Sequence, residues 1–217
     1  MDFDLKIFLE TLPLLVKGAG ITIMLTVVSS ALGIVIGFFM AQGRVARAAL
    51  PRRVAAVYVF FFRTMPLLLT LTLLYYGLPS LGINIDALPV AIVGLSITFG
   101  AYATEIIRAG IESVAPAQIR AARAIGLSHF QAMRWVILPQ AMRRVLAPLS
   151  NEVLSTLKQT SLVSTIAIAD LLRVGVETMS WRANTFSPLM GVALGYFILA
   201  LPLIGLNKFL ETRIRVT

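Results

Sequence analysis

Five stretches of the chain are apolar with so few interruptions that each approaches the roughly 20 residues needed to cross the hydrocarbon core of a bilayer. They run over about 19–41, 54–77, 87–108, 146–168 and 186–206. Between them the pattern changes. Turn-forming residues fill "GLPSLGIN" at 77–84 and "SWRANTFSP" at 180–188, and a half-polar stretch, "QIRAARAIGLSHFQAMRWVILPQ", occupies 118–140. The expected fold class is all-α integral membrane, with five transmembrane helices in one domain over 19–208. An outer or interfacial segment, 1–18, precedes it and a tail, 209–217, follows.

Composition agrees with this reading. Of 217 residues, 58% are apolar and 13% charged, against about 45–50% and about 25% in soluble domains. Cysteine is absent, which excludes disulfides, thiolate metal sites and a cysteine nucleophile. The acidic N-terminus, "MDFDLKIFLE", does not read as a cleavable signal. A net charge of +9 raises the question of nucleic acid, but the basic residues sit in short tracts beside apolar spans. They are topology signals, and no nucleic-acid partner is expected.

Lys and Arg are retained on the cytoplasmic side of membrane proteins. An outside N-terminus puts Arg44, Arg47, Arg52 and Arg53 in one inner loop, Arg108, Arg120, Arg123, Arg134, Arg143 and Arg144 in another, and Lys208, Arg213 and Arg215 in the tail. The outer segments then hold Lys6, Lys17, Arg173 and Arg182. This asymmetry sets the N-terminus outside and the C-terminus in the cytoplasm.

In the inner stretch, Pro116 suits the first turn of a helix and Gly126 its end, so a short helix is expected near 116–126. Ile119, Ala122, Ile125 and Gly126 share one small, apolar face by helical spacing, and Arg120 and Arg123 share a neighbouring one. Such a helix suits either close approach by another protein or rest on anionic membrane lipid.

Residues 120–139 resemble the EAA motif of type I ATP-binding cassette (ABC) importer permeases, with Arg120, Ala121, Ala122, then Gly126, then Val136, Leu138 and Pro139 at intact spacing. The flanking "VYVFFFRTMPLLLTLTLLYYGLP", "AYATEIIRAGIESV" and "LKQTSLVSTIAIADLL" are similar to the polar amino acid uptake branch, over roughly 12–210. The resemblance implies a multi-pass permease of a bacterial inner membrane, with residues 1–18 periplasmic or interfacial. It also implies a coupling segment over about 116–139 that docks on ABC ATPase subunits, a second permease copy or sister permease, and a periplasmic substrate-binding protein. Two departures stand out: Arg120 replaces the usual Glu, and Gln159 stands where Asp or Asn often follows the Lys. No G-x-x-x-x-G-K-[S/T] loop occurs in the chain. ATP and Mg therefore belong to the partner ATPase, and no cofactor is expected here.

Charges inside the spans ask for a partner or a water-filled cavity, since one at the bilayer centre costs at least about 2.5–3.5 kcal/mol. Lys158 lies roughly 18 Å from the inner end of its span, amid a polar series including Asn151, Glu152, Ser155 and Gln159. It either lines a substrate passage, where a cation suits the carboxylate of an amino acid, or pairs with Glu152 or a neighbouring subunit. Arg63 precedes Pro66, which frees the carbonyl of Phe62; Arg63 satisfies that group or contacts substrate, with Thr64 as a further candidate. Glu105 and Arg108 form an intrahelical pair beside the coupling segment, with a relay role open. His129 lacks companions at ligand spacing, so neither metal binding nor catalysis is expected.

Two rival classes fit the sequence less well. A secondary transporter or channel is disfavoured by the lack of a repeated half and of intramembrane carboxylates for ion coupling. An intramembrane enzyme is disfavoured because Gly-x-Ser-x-Gly and His-Glu-x-x-His are absent.

Overall fold

In the computed structural model, which describes residues 3–215, the chain is all-helical. Helix α1 runs Leu5–Val45 without a break. The Asp4 carboxylate starts it by accepting from the backbone N–H of Lys6 at 2.8 Å and Ile7 at 3.2 Å. Segment 1–18 is therefore not separate from the span at 19–41: its described part is the first third of one helix of 41 residues, roughly 60 Å long. Pro13 forgoes one backbone bond without ending it. Residues 1 and 2 lie outside the described residues.

The expected span at 54–77 is broken. Helix α2, Ala49–Thr64, ends before Pro66, and α3, Leu67–Thr72, continues through a π-helical turn at Leu73–Gly77 and a 3-10 turn at Leu78–Leu81. The two halves meet at 102°. Proline explains the break, because it lacks an N–H and drives the preceding residue, Met65, into extended backbone.

Helix α4, Ala87–Glu112, is the central element. It packs along α1 through small residues. A Cβ on Gly33 would meet the Phe99 ring at 2.5 Å, and one on Gly37 would meet the Ala103 Cβ at 2.5 Å. Close backbone approach of this kind is how helices associate where lipid removes most of the hydrophobic drive.

The inner stretch forms α5, Pro116–Ala124, a single turn α6, His129–Ala132, and a π-helical turn, Met133–Ile137. Ser128 and Gln131 cap α6 reciprocally. Leu138 and Pro139, expected in the coupling segment, open the next helix, α7, Leu138–Gln159. The π-helical turn runs directly into it, the Leu138 N–H donating to the Met133 carbonyl, and Pro139 follows at once. A 3-10 segment, Thr160–Ile166, follows, then α8, Leu171–Arg182, and α9, Phe186–Arg215. Residues 216 and 217 of the expected tail lie outside the described residues, and the remainder of the tail continues α9.

Among the described residues three helices, α1, α4 and α9, are long and apolar enough to cross a membrane, or up to four with the bent α2–α3 pair. The stretch at 146–168 is divided between α7 and the 3-10 segment. With Asn151, Glu152, Lys158 and Gln159 in one run, it is less apolar than the others.

Candidate functional site

Two cavities open on charged residues near the Val45 end of α1. The first, about 420 Å³, lies between α2 and α4 and is lined by Arg44, Arg63, Thr64, Tyr102 and Glu105, with Ala56, Val59 and Phe60 as its apolar wall. Arg63 reaches it because the helix ends one residue later at Thr64. Its guanidinium lies 5.2 Å from the centre of the Tyr102 ring, a favourable cation–π geometry. It does not sit on the Phe62 carbonyl that Pro66 frees. The break exposes the end of α2 directly beside α4, and the Tyr102 ring face is the nearer partner.

Glu105 is more than half of an intrahelical pair. One oxygen accepts from Arg108 at 2.7 Å, and the other accepts from Arg44 Nε of α1 at 3.1 Å. Arg108 also donates to Glu112 at 2.6 Å. The cluster therefore ties the inner ends of α1 and α4 together. The two pairs to Glu105 are partly shielded, with its side chain 17% exposed, so they contribute more than surface ion pairs do, whereas Glu112 is 54% exposed and its pair is a surface one. Arg44 also lines a second cavity, about 440 Å³, with Arg52, Glu112, Pro116, Ile119 and His129. One arginine thus stands between the cavity at α2 and α4 and the cavity beside α5.

On α7, Glu152 is half-buried. Lys158 does not pair with Glu152. It is exposed and makes no ion pair among the described residues, because the two side chains are six positions apart, about 240° around the helix. Asn151 accepts a hydrogen bond from Asn207 and so fastens α7 to α9. Ser155 and Gln159 are half-buried, and Thr64 is exposed at the rim of the first cavity. The structure therefore gathers Arg63, Thr64 and Glu105 at one cavity, with Glu152 outside its lining. It leaves Lys158 on a separate exposed face.

The sequence reading missed Tyr102 and Arg44. Tyr102 carried a signal, since it lies three residues before Glu105 and hence on the same face of α4. Arg44 carried none, because its position follows from the unforeseen length and packing of α1.

Helix α5 corrects the expected small apolar face. Ala122 is 5% exposed and Ile119 half-buried against the inner core, so these two face their own chain. Ile125, placed on the same face by spacing, is 80% exposed, because the helix ends at Ala124 and the backbone turns away. The side left open carries Arg120, Arg123, Ala117, Ala121, Ala124 and Ile125. Gly126 ends the helix with φ +86°, a left-handed conformation that favours glycine.

Similarity to known proteins is extensive. Residues 33–216 match the family described as binding-protein-dependent transport system inner membrane component. The chain is 33% identical over 218 residues to the glutamine transport system permease protein GlnP of Escherichia coli, covering 100% of both. It is 31% identical over 216 residues to the arginine transport system permease protein ArtQ of Bacillus subtilis, covering 99% of both. A crystal structure of an amino acid ABC transporter with histidines superposes with a TM-score of 0.92 at 37% identity, over 98% of this chain and 100% of that one. The MetNI methionine ABC transporter in an inward-facing form shares the fold, with a TM-score of 0.77 at 20% identity over 93% and 96% of the chains. With most of its length matched, the chain belongs to the family of inner membrane components of binding-protein-dependent transport systems.

Proposed function

We propose that the chain is the transmembrane permease subunit of an ABC importer that carries a polar amino acid or related compound across the bacterial inner membrane. The observation that carries this reading is likeness over the full length, in sequence and in fold, to permeases of amino acid importers. Five crossings, an outside N-terminus and a cytoplasmic C-terminus follow from the distribution of Lys and Arg, with the bent α2–α3 pair and α7 each counted once.

Arg63, Thr64, Glu152, Asn151, Ser155, Lys158 and Gln159 form the polar lining of the passage. A zwitterionic substrate needs a cation for its carboxylate and an acceptor for its ammonium, and the charges of Arg63 and Glu152 offer both. Lys158, exposed and without an ion-pair partner among the described residues, adds a cation that a neighbouring permease subunit brings to the same axis. Arg120, Ala121, Ala122, Arg123, Gly126, Leu138 and Pro139 form the coupling region, with Glu105 and Arg108 behind it. ATP and Mg bind the partner ATPase, whose closure moves α5 and through it α4 and α7. A second permease and a periplasmic binding protein complete the machine.

The test is uptake in vesicles holding the whole complex. Uptake should require ATP and the ATPase, and Lys158→Ala should lower it by about tenfold or more, the scale of one lost charge-assisted hydrogen bond, with assembly intact. Uptake driven by a pH gradient without ATP would replace the importer reading by a secondary transporter. Unchanged uptake in the variant would return Lys158 to a structural role.

A further inference from the structure

The two cavities near the Val45 end of α1 have one lining residue in common, Arg44. Arg63 lines the first, and Arg52 and His129 line the second. On α2, Arg52, Ala56, Val59 and Arg63 share a face by helical spacing. The two arginines at its ends lie about 16 Å apart along the helix axis, at 1.5 Å per residue. The chain thus sets three arginines in series, Arg63, Arg44 and Arg52, along two adjoining cavities.

Charge along this series is one-sided. Both carboxylates in the two linings are engaged: Glu105 accepts from Arg44 and Arg108, and Glu112 accepts from Arg108. Arg63 lies over the Tyr102 ring and makes no ion pair among the described residues, and Arg52 is exposed with neither a hydrogen bond nor an ion pair there. A cationic group moving along these walls therefore finds no free carboxylate, whereas a carboxylate finds a charged donor at each step.

Arg44 is the step able to change partner. Among the described residues its side chain makes one hydrogen bond, from Nε to Glu105 at 3.1 Å, so both terminal nitrogens remain for a second carboxylate. Glu105 does not depend on it, because Arg108 holds the other oxygen at 2.7 Å. Releasing Arg44 thus leaves no carboxylate unpaired, which is the costly outcome of breaking a shielded pair.

We propose that Arg63, Arg44 and Arg52 form a relay for the carboxylate of the cargo, in which Arg44 exchanges Glu105 for that carboxylate as cargo leaves the first cavity for the second. The relay rests on the importer reading above and adds an exit to it. The second cavity, bordered by exposed Arg52 and His129, is the place of release. A compound without a carboxylate has nothing to offer Arg44 and stays in the first cavity.

The chain has no cysteine, so a single introduced thiol reports on one cavity in the intact complex. In Ala56→Cys, on the wall of the first cavity, 2-sulfonatoethyl methanethiosulfonate should react at least about tenfold faster than the trimethylammonium reagent of similar size, and salt should narrow the difference. Equal rates, or a faster cationic reagent, overturn the relay whether or not any arginine variant folds. In vesicles with the ATPase and the binding protein, Arg44→Gln should lower maximal ATP-driven uptake by about tenfold or more, with a much smaller change in the half-saturating cargo concentration, because cargo still enters at Arg63. Arg44→Lys should restore part of it. Glu105→Gln keeps an oxygen for Arg108 and frees Arg44, so it should retain uptake. A pair that merely ties α1 to α4 predicts equal losses in Arg44→Gln and Glu105→Gln. That result, like normal uptake in Arg44→Gln, overturns the relay and leaves the importer reading in place. Uptake that needs no ATP overturns the importer reading instead.

Discussion

Asp170, at the junction of α1, α8 and α9, has both carboxylate oxygens engaged by its own chain, whereas the side chains of Arg120 and Arg123 on α5 have no partner among the described residues. The Asp170 side chain accepts from the N–H of Arg173 at 3.1 Å and of Leu172 at 3.2 Å, and the Tyr196 hydroxyl donates to it at 3.2 Å. Next to it the N–H of Leu171 donates to Thr22 of α1. Burial makes that satisfaction compulsory, because an unpaired polar group away from water costs about 1–3 kcal/mol. An exposed arginine carries no such penalty. A closed polar network is therefore held in place by the fold, and an open charged face on the same chain is left free of that constraint.

The widest separation between the regions comes from steric change at the closed junction. A Cβ on Gly18 would lie 2.9 Å from the Asp170 carbonyl oxygen and 3.0 Å from the Leu171 Cα, both of them backbone that cannot swing aside. Gly18→Leu should therefore destabilise the protein by more than about 3 kcal/mol, read as loss of the folded, monodisperse species in detergent. Full recovery of the folded species would mean that α1 and α8 are not held at this distance.

Asp170→Ala comes next, with an expected loss of about 2–3 kcal/mol as two backbone donors and a phenol lose their acceptor, seen as a lower thermal midpoint. Burial, the larger influence, pushes the Asp170 carboxyl above the ordinary carboxylate range, against the pull of the Arg173, Leu172 and Tyr196 donors. A raised folded-state value means that the folded protein holds the proton more tightly. Its contribution to stability is complete below the unfolded value and is lost as pH rises through the folded one. Asp170→Asn keeps an acceptor without the charge, so its thermal midpoint should lack this decline with rising pH.

How much of this the sequence disclosed depends on how local each cause was. Pro116 and Gly126 announced α5, because both act on their own backbone, and the uninterrupted apolar run announced α4. Pro66 was recognised as a defect, yet a lost hydrogen bond does not specify a 102° bend, which neighbouring helices set. The fusion of residues 5–18 into α1 turned on Asp4 as a cap, a one-residue signal easily outweighed by window averages. At the candidate site, Arg63 and Glu105 were legible as charges in apolar surroundings. Their common cavity was not, since it needs the register of α2 against α4. The direction of the α5 face was misread for the same reason. Helical spacing groups Ile119, Ala122 and Ile125, but only the packing tells which of them the chain keeps for itself.

The smallest effect on stability, and the sharpest on the open region, is expected at Gly126. Its φ of +86° is one that an L side chain adopts at a cost of about 1 kcal/mol, and a Cβ there would meet nothing within 4 Å. Gly126→Ala should thus leave the thermal midpoint within a few degrees of wild type, since no packing is disturbed and the strain is confined to one turn. The same strain acts where α5 gives way to the Ser128-capped turn, so it shifts Ile125, Arg120 and Arg123 relative to α7. Binding-protein-stimulated ATP hydrolysis should therefore drop several-fold while folding holds, the reverse of what Asp170→Ala does. A variant that melts early yet couples normally would mean that the turn serves the fold and not the partner, and the contrast between the closed and open regions would fail at this residue.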